Sequence, residues 1–359
     1  MCKPRGASRA EVVLSVVIGC FNGESKLPAA LDALARQQHD TSFEVIVVDD
    51  ASTDRTAEIA ASSGAKTISL NLNQGHGAAL NVGLWNARGK YLAMMDDDCV
   101  PPPDWIQNLA DAWESVTNEV TMIGGIVQPL EVDTFGRRYV QVRRPLRHED
   151  AVLDERVGVI ERLRHAIFPP VPSAAVRPVF YTVGANSSVR VEATREVGGF
   201  KETPGAGEEE SIARKLRARF GDGTVVLFPW IVMMHDFGPS ILDSFRRARS
   251  YGRANGNDWQ LQGGLPRIRP CSAIVVALCL FALPWKRRGV LLALLSVPIL
   301  YRKWMRPNGA RQLERLTYPY CEFVEELFFD VGFLQGWARA WSASRRAQGP
   351  GLNAPVAGS

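Results

Sequence analysis

A chain of 359 residues, 46% hydrophobic and 22% charged, has the composition of an ordinary folded protein and excludes a disordered or fibrous one. Its net charge of +4 is small and no long Lys/Arg run appears, which argues against nucleic acid as a partner. The six cysteines (Cys2, Cys20, Cys99, Cys271, Cys279 and Cys321) form no C-x-x-C pair, against a structural zinc site or a disulfide framework and in keeping with a reducing cytosol.

The first hundred residues alternate strand and helix. The N-terminal apolar stretch is about seven residues long, contains Ser15 and has no cleavage-site signature, so Leu14 to Ile18 reads as a first strand rather than a signal peptide. After a turn at Asn22-Gly23, Leu27, Ala30, Leu31 and Leu34 share one helical face. Phe43 to Val48 is a second strand, ended by Asp49-Asp50. The helix after it is expected to have Ser52 or Thr53 near its N-cap. A short strand at Lys66 to Leu70 and a helix from about Gly77 to Asn86, closed by Gly89, lead to the apolar run Tyr91-Leu-Ala-Met-Met. That strand is expected to end at Asp96, the first of three consecutive aspartates. Strands alternating with short helices imply βαβ units and a mostly parallel sheet. Ligands collect outside the carboxyl ends of such strands, so Asp96-Asp97-Asp98 points at the site. Asp96 and Asp98 are hard oxygen donors of the kind that hold a divalent cation beside a phosphate, although a solvated acidic turn has the same composition.

Trp105 to Val116 reads as helix and Val120 to Val127 as strand. Periodicity is poor from Gln128 to Ala175, where irregular structure or an inserted amphipathic segment around Val157 to Ile167 is expected. Regular signals return at Phe180 to Arg190, at the Gly198-Gly199 turn, and in a helix from Glu208 to Phe220. Beyond Arg269 the composition shifts. Cys271 to Trp285 and Gly289 to Tyr301 are apolar, separated by Lys286-Arg287-Arg288. As a helix the first run covers roughly 22 Å, short of a hydrocarbon core of about 30 Å. A shallow hairpin dipping into one leaflet therefore fits better than two spans, with a buried hairpin of a soluble protein as the alternative. Further on, Tyr320, Val324, Leu327, Val331, Leu334, Ala338 and Trp341 form one apolar stripe, with Glu322, Glu325 and Glu326 early and Arg339 late. Trp337 and Trp341 suit a membrane interface, though such a stripe is more often plain core. Gly, Pro and Ala dominate residues 346–359, read as a disordered tail.

Several motifs occur together and in order: Ser15-Val-Val-Ile-Gly-Cys-Phe-Asn-Gly-Glu24, Val47-Val-Asp-Asp-Ala-Ser-Thr-Asp54, Asn73-Gln-Gly with Asn81-Val-Gly83, Ala87-Arg-Gly-Lys-Tyr91, and Asp96-Asp-Asp98. From about Ser15 to Gly256 the chain resembles family 2 glycosyltransferases of the GT-A fold. The resemblance implies an α/β fold with a Rossmann-like, mostly parallel mixed sheet flanked by helices, followed by a C-terminal helical membrane-associated segment. It divides the chain into a catalytic domain at 10–265 (nucleotide-sugar half about 10–128, acceptor half about 176–265) and a hydrophobic hairpin with an amphipathic helix at 266–345.

The same resemblance implies a nucleotide-sugar site at Gly19, Phe21, Asn22, Glu24, Asp50, Asn81, Asp96 and Asp97. Asp50 would accept a hydrogen bond from the nucleobase, and Asp49 would support the loop. Asp96 and Asp98 match the family's D-x-D. Asp98 is expected to bind Mg²⁺ or Mn²⁺ directly, with Asp96 toward the ribose or a metal-bound water and His235 near the metal and diphosphate. On the acceptor side, Gly184 to Arg190, Val197 to Phe200 and Gly207 to Ile212 correspond to the region where the family carries an acidic pair, commonly Glu-Asp. Here Glu209 stands where Asp is usual, so the base is Glu209 or its neighbour Glu208, unless the glutamates only complement a helix N-terminus. Processive synthases carry Q-x-x-R-W where this chain has Arg246-Arg-Ala-Arg249-Ser250, which favours transfer of a single sugar. What the resemblance implies overall is an inverting, metal-dependent hexosyltransferase at the cytoplasmic face of the cell membrane. It would move a sugar from a nucleotide-diphosphate donor to a lipid-linked glycan or polysaccharide precursor of the cell envelope. The alternatives are an inactive transferase-like module docked at the membrane, or a nucleotidyltransferase. The latter needs a basic Gly-rich loop after the first strand, which Gly19 to Glu24 does not supply.

Overall fold

The structure, a computed structural model, describes residues 13–143, 174–202, 207–261, 263–266, 274–277, 294–301 and 312–347. Two compact units divide the chain: 1–165 with 170–239, and 166–169 with 240–359.

The first unit is one mixed sheet covered by helices. Its opening half is built from β1 (Leu14–Cys20), α1 (Leu27–Ala35), β2 (Phe43–Asp49), α2 (Thr56–Ser62), β3 (Lys66–Ser69), α3 (His76–Asn86) and β4 (Tyr91–Met94). The strands β3, β2, β1 and β4 lie side by side and parallel, with Val17 opposite both Ile46 and Met94. Every residue of β4 and all but one of β1 are buried, as a parallel sheet requires of its central strands. The exception in character is Ser15, whose hydroxyl donates to Glu44 and accepts from the Gly89 N–H, leaving no polar group of its side chain unpaired.

Then follow β5 (Cys99–Val100), α4 (Trp105–Ser115), β6 (Met122–Pro129), α5 (Phe135–Arg143), β7 (Arg177–Pro178), a 3₁₀ turn at Gly184–Asn186, β8 (Ser187–Arg190), α6 (Val191–Glu196), α7 (Glu208–Phe220) and β9 (Val225–His235). Here the sheet turns mixed. β8 runs antiparallel to β4 and β6, while β6 and β9 are parallel with an irregularity after Gly124. Asn186 fills that break: its amide donates to the carbonyls of Ile126 and Ile231, and its Oδ1 accepts from the Trp105 indole. The two-residue β5 pairs antiparallel with the end of β9 and sets Cys99 opposite His235.

Local chemistry moved three boundaries. α2 begins at Thr56, because Ser52 and Thr53 are used elsewhere: the Ser52 hydroxyl accepts from the Asn22 N–H and the Thr53 N–H donates to Asn22 Oδ1. α3 ends before an extended Ala87, and Gly89 instead lies against β1, where a Cβ would overlap the backbone of Leu14 and Ser15. The β4 ladder stops at Met94, so the aspartates belong to the turn beyond it.

In the second unit, α8 (Ile241–Leu261) and α9 (Gln312–Ala347) run together in the same direction, and residues 274–277 and 294–300 are also helical. The composition shifts near residue 266, but α8 already groups with this unit. Most of the two apolar runs, the segment around 157–167 and the tail lie outside the described residues. Among the described residues no helix is long and apolar enough to cross a membrane.

Gly83 of α3 lies flush against Val17 of β1, where even one added carbon would overlap that buried side chain. Gly83→Val is therefore expected to overpack the core and destabilise the protein by about 1–3 kcal/mol, read as a lowered melting temperature.

Candidate active site

The carboxyl ends of β1, β2 and β4 deliver three loops to one edge of the sheet, and the end of β9 delivers a fourth. Two of these loops hold non-glycine residues in the left-handed region, Asn22 (φ 54°) and Ala51 (φ 60°). For an alanine that conformation costs about 1 kcal/mol or more and persists only where the surroundings fix it. They do so here. Besides the Asn22 contacts with Ser52 and Thr53, the Gly23 N–H donates to Thr56 Oγ1 and the Glu24 N–H to Asp54 Oδ2. Glu24 returns the contact by accepting from the Arg55 N–H.

Asp50 is 3% exposed, and each carboxylate oxygen already has a backbone donor: Gln74 N–H at 2.8 Å and Gly75 N–H at 2.7 Å. It thus fixes the entry to α3, while Asp49 accepts from the Ser52 N–H at 3.1 Å. Asn81 is similarly engaged. Its Nδ2 donates to the Phe200 carbonyl and to Glu202, and its Oδ1 accepts from the Phe200 N–H, tying α3 to the turn before α7. Phe21, half exposed at the end of β1, remains open to a ligand. Gly19 leaves space for His76, the first residue of α3.

The three aspartates point in different directions. Asp97 is turned inward, accepting from the Cys20 thiol at 3.0 Å. Burial pushes its carboxyl above the usual range, the thiol's hydrogen bond pulls back, and the Asp98 charge adds to the rise. Burial and Asp97 together raise the Cys20 thiol, so it keeps its proton. Asp98 faces two cation-capable groups, with Lys26 Nζ 2.9 Å from Oδ2 and His235 Nε2 3.2 Å from Oδ1. Burial opposes the Lys26 charge, but the hydrogen bond and charge of Asp98 outweigh it and raise its pKa. Asp96 lies 3.7 Å from His76 Nε2 and 3.9 Å from His235 Nε2.

One atom each of Asp96, Asp98, Cys99 and His235 fall within 4.8 Å of one another. Two aspartate carboxylates are the donors that a hard divalent cation prefers. Cys99 fits less well, because a thiol is a soft donor and the hard divalent cations that carboxylates hold prefer oxygen. His235 fits less well than the acids. Its ring stacks on Phe237 at 4.3 Å and its buried Nδ1 has no hydrogen-bond partner. Ligation through Nε2 would move the proton to that unpaired Nδ1, whereas donation from Nε2 to Asp98 leaves Nδ1 bare at lower cost.

Across the edge stands the N-terminus of α7, entered through Gly207 in the left-handed conformation. Glu208 is buried, which raises its carboxyl, with the His76 charge pulling the other way. Glu209, only half-buried by its exposed surface but surrounded by protein on the side of the other acids, rises further, to about 8, first through desolvation, then through the charge of Glu208, with Asp96 contributing.

Two family models match the chain: Glycosyl transferase family 2 over residues 15–162, and Glycosyl transferase family group 2 over residues 91–305, more than half of its length. The chain belongs to the family 2 glycosyltransferases. A dolichyl-phosphate beta-glucosyltransferase of Mus musculus is 38% identical over 99 residues, 24% of this chain and 31% of that protein. An undecaprenyl-phosphate 4-deoxy-4-formamido-L-arabinose transferase of Aeromonas hydrophila is 36% identical over 108 residues, 28% of this chain and 33% of that protein. The chain thus spans about a third of the length of each of these relatives. The fold is shared with a mannosyltransferase of Pyrobaculum calidifontis solved with GDP-Man and Mn²⁺ (TM-score 0.53, 17% identity, 90% of this chain and 86% of that one).

Within this family 2 glycosyltransferase, the sequence motifs bring together Asp96, Asp98, His235, Glu208 and Glu209 at one edge. Two members of the site carried no sequence signal strong enough to single them out. Lys26 is one cation among 42 Lys and Arg residues, and His76 sits inside a weak Gly-x-Gly. The double acceptance by Asp50 sets an expectation. Asp50→Ala should lower the unfolding free energy by about 1–3 kcal/mol in denaturant titrations with no nucleotide present, because two part-buried N–H groups lose their acceptors.

Proposed function

We propose that the chain is an inverting, divalent-cation-dependent glycosyltransferase. It moves one hexosyl unit from a nucleoside-diphosphate sugar to a lipid-linked acceptor, a glycan or polysaccharide precursor of the cell envelope, at the cytoplasmic face of the membrane. The observation that carries this reading is the pairing of Asp96 and Asp98 with a carboxyl of raised proton affinity, Glu209, close enough for the Asp96 charge to act on it. An acceptor anchored in lipid is supported by the names of the mouse and Aeromonas relatives, which carry dolichyl phosphate in one and undecaprenyl phosphate in the other.

Phe21 and the loops ordered by Asn22, Glu24 and Asp50 receive the nucleoside. Asp96 and Asp98 would hold Mg²⁺ or Mn²⁺, which would supply positive charge to neutralise that developing on the diphosphate. His235 orients Asp98 from Nε2, Lys26 adds a positive charge beside the same carboxylate, and Asp97 supports the turn from beneath. Glu209, with Glu208 beside it, takes the proton from the acceptor hydroxyl as its oxygen bonds to the sugar C1. The bond from C1 to the diphosphate breaks, the nucleoside diphosphate departs, and attack from the opposite face inverts the anomeric centre. A carboxyl with a pKa near the working pH is well suited to accept that proton.

Two measurements test this. With a panel of nucleotide sugars and a lipid-linked glycan acceptor bearing free hydroxyls, Glu209→Gln should cut transfer about 10²–10⁴-fold while donor binding by calorimetry changes little. Asp98→Ala should weaken Mn²⁺-dependent donor binding as well. Unchanged turnover in both variants would overturn the assignment. The second is pH dependence. Glu209 is protonated below about 8 and charged above it, so transfer should rise with pH through that region and flatten beyond it. Stability should move the other way. The folded carboxyl holds a proton that the unfolded chain (model value 4.5) releases, so folding weakens as pH climbs from about 4.5 to 8.

A further inference from the structure

α9 is built with its polarity reversed. All five of its acids, Glu314, Glu322, Glu325, Glu326 and Asp330, are buried, and none lacks a partner. The Tyr318 hydroxyl donates to Glu314 at 3.0 Å and the Tyr301 hydroxyl to Glu326 at 2.6 Å. Large apolar residues are exposed instead: Leu313 (79%), Leu316 (57%), Tyr320, Phe328, Val331 (47%), Leu334 and Trp341. Leu313, Leu316, Tyr320, Val331, Leu334 and Trp341 keep to one face of the helix.

In water both halves of this arrangement are unfavourable, since apolar surface stays wet and carboxylates are desolvated. Against hydrocarbon the apolar face is no longer wet, and acids turned inward to hydroxyl partners are better placed than acids facing lipid. The contact with α8 is of the kind helices make where no hydrophobic drive presses them together. Gly252 and Gly256 approach the backbone of Phe329 and Phe333, while Gly332 and Gly336 approach that of Arg249 and Arg253. Charge on the exposed surface of α9 has one sign. No acid is exposed there, whereas Arg339, Arg345 and Arg346 are, with the Arg345 guanidinium 4.2 Å from the Trp341 ring centroid. An indole beside arginines suits the depth of lipid headgroups. No helix among the described residues is long and apolar enough to cross a membrane, and a helix with one apolar face rimmed by cations is of the kind that lies along an interface.

We propose that the outward face of α9 seats on a bilayer with anionic headgroups, its apolar residues at the acyl boundary and its arginines at the phosphates. This deepens the membrane reading above by naming the surface, and it stands or falls separately from the sugar transfer. The test uses the full chain with vesicles of phosphatidylcholine alone or mixed equally with phosphatidylglycerol. The wild type should co-sediment with the anionic vesicles and more weakly with the neutral ones. The double variant Val331→Asp, Leu334→Asp should lower the partition coefficient by roughly ten-fold or more while keeping nucleotide binding by calorimetry. In the wild type, brominated acyl chains should quench the share of indole emission that Trp341→Phe removes. Unaltered partitioning of the double variant, or no quenching assignable to Trp341, overturns the proposal. So does a lipid-free dimer in sedimentation equilibrium that the double variant dissociates, because a second copy would then be the occupant. A wild type that turns over nucleotide sugar but does not bind the anionic vesicles rejects the surface alone, and one that binds them without turnover rejects the enzymatic reading alone.

Discussion

Crowding of like charge is the constraint around which the first unit is arranged. Five carboxyl groups, Asp96, Asp97, Asp98, Glu208 and Glu209, gather at one sheet edge, and each raises the cost of ionising its neighbours. The fold meets this in three ways. Asp97 is withdrawn and shares a thiol proton with Cys20. Asp98 is flanked by Lys26 and His235. His76 stands near Asp96, and its charge also reaches Glu208. Glu209 has no such cation beside it among the causes of its shift, and its proton affinity rises first through desolvation and then through the charges of Glu208 and Asp96. Gathering the acids thus adds to an elevation that desolvation begins.

That arrangement depends on a short strand. β5 contributes two residues, yet pairing Cys99 with His235 brings the end of β9 to the turn after β4, and the Asp236 N–H donates to the Asp98 carbonyl at 2.9 Å. Residues separated by more than 130 positions are fixed side by side through backbone hydrogen bonds. The loops of β1 and β2 are fixed instead by side chains, with Asn22, Asp54 and Ser52 clamping backbone N–H groups around two left-handed residues. One wall of the site is therefore set by sheet register and the other by strained, hydrogen-bonded turns.

Much of this was legible in the chain because periodicity and abrupt polarity changes report directly on burial. β1, β2, α1, α3, α4 and α7 lie within a residue or two of where apolar spacing puts them. The acids were legible because three carboxylates after a buried strand have no structural use inside the sheet. What escaped was set by partners distant in sequence. Nothing near Ser52 announces that its hydroxyl goes to Asn22 rather than to a helix N-terminus. Nothing near Asp50 announces that Gln74 and Gly75 donate to its carboxylate, a structural role a strand-terminal acid can hold alongside a ligand contact. Asn81 likewise ties α3 to a turn more than a hundred residues away, which no local pattern announces.

The C-terminal helix shows a sharper limit. The stripe Tyr320, Val331, Leu334 and Trp341 was visible as a period, but a period fixes only that residues share a face and not which way the face looks. Ordinary experience with soluble proteins turns such a stripe inward. Here the burial of Glu322, Glu325, Glu326 and Asp330 turns it outward, and the glycine contacts with α8 show why the helix can tolerate it. With backbones in close contact, the pair is held by packing and polar partners rather than by apolar burial, so its apolar residues are released to the outside. The same close glycine contacts that replace apolar burial between α8 and α9 therefore account for an apolar face on the outside of a helix whose acids are all turned inward.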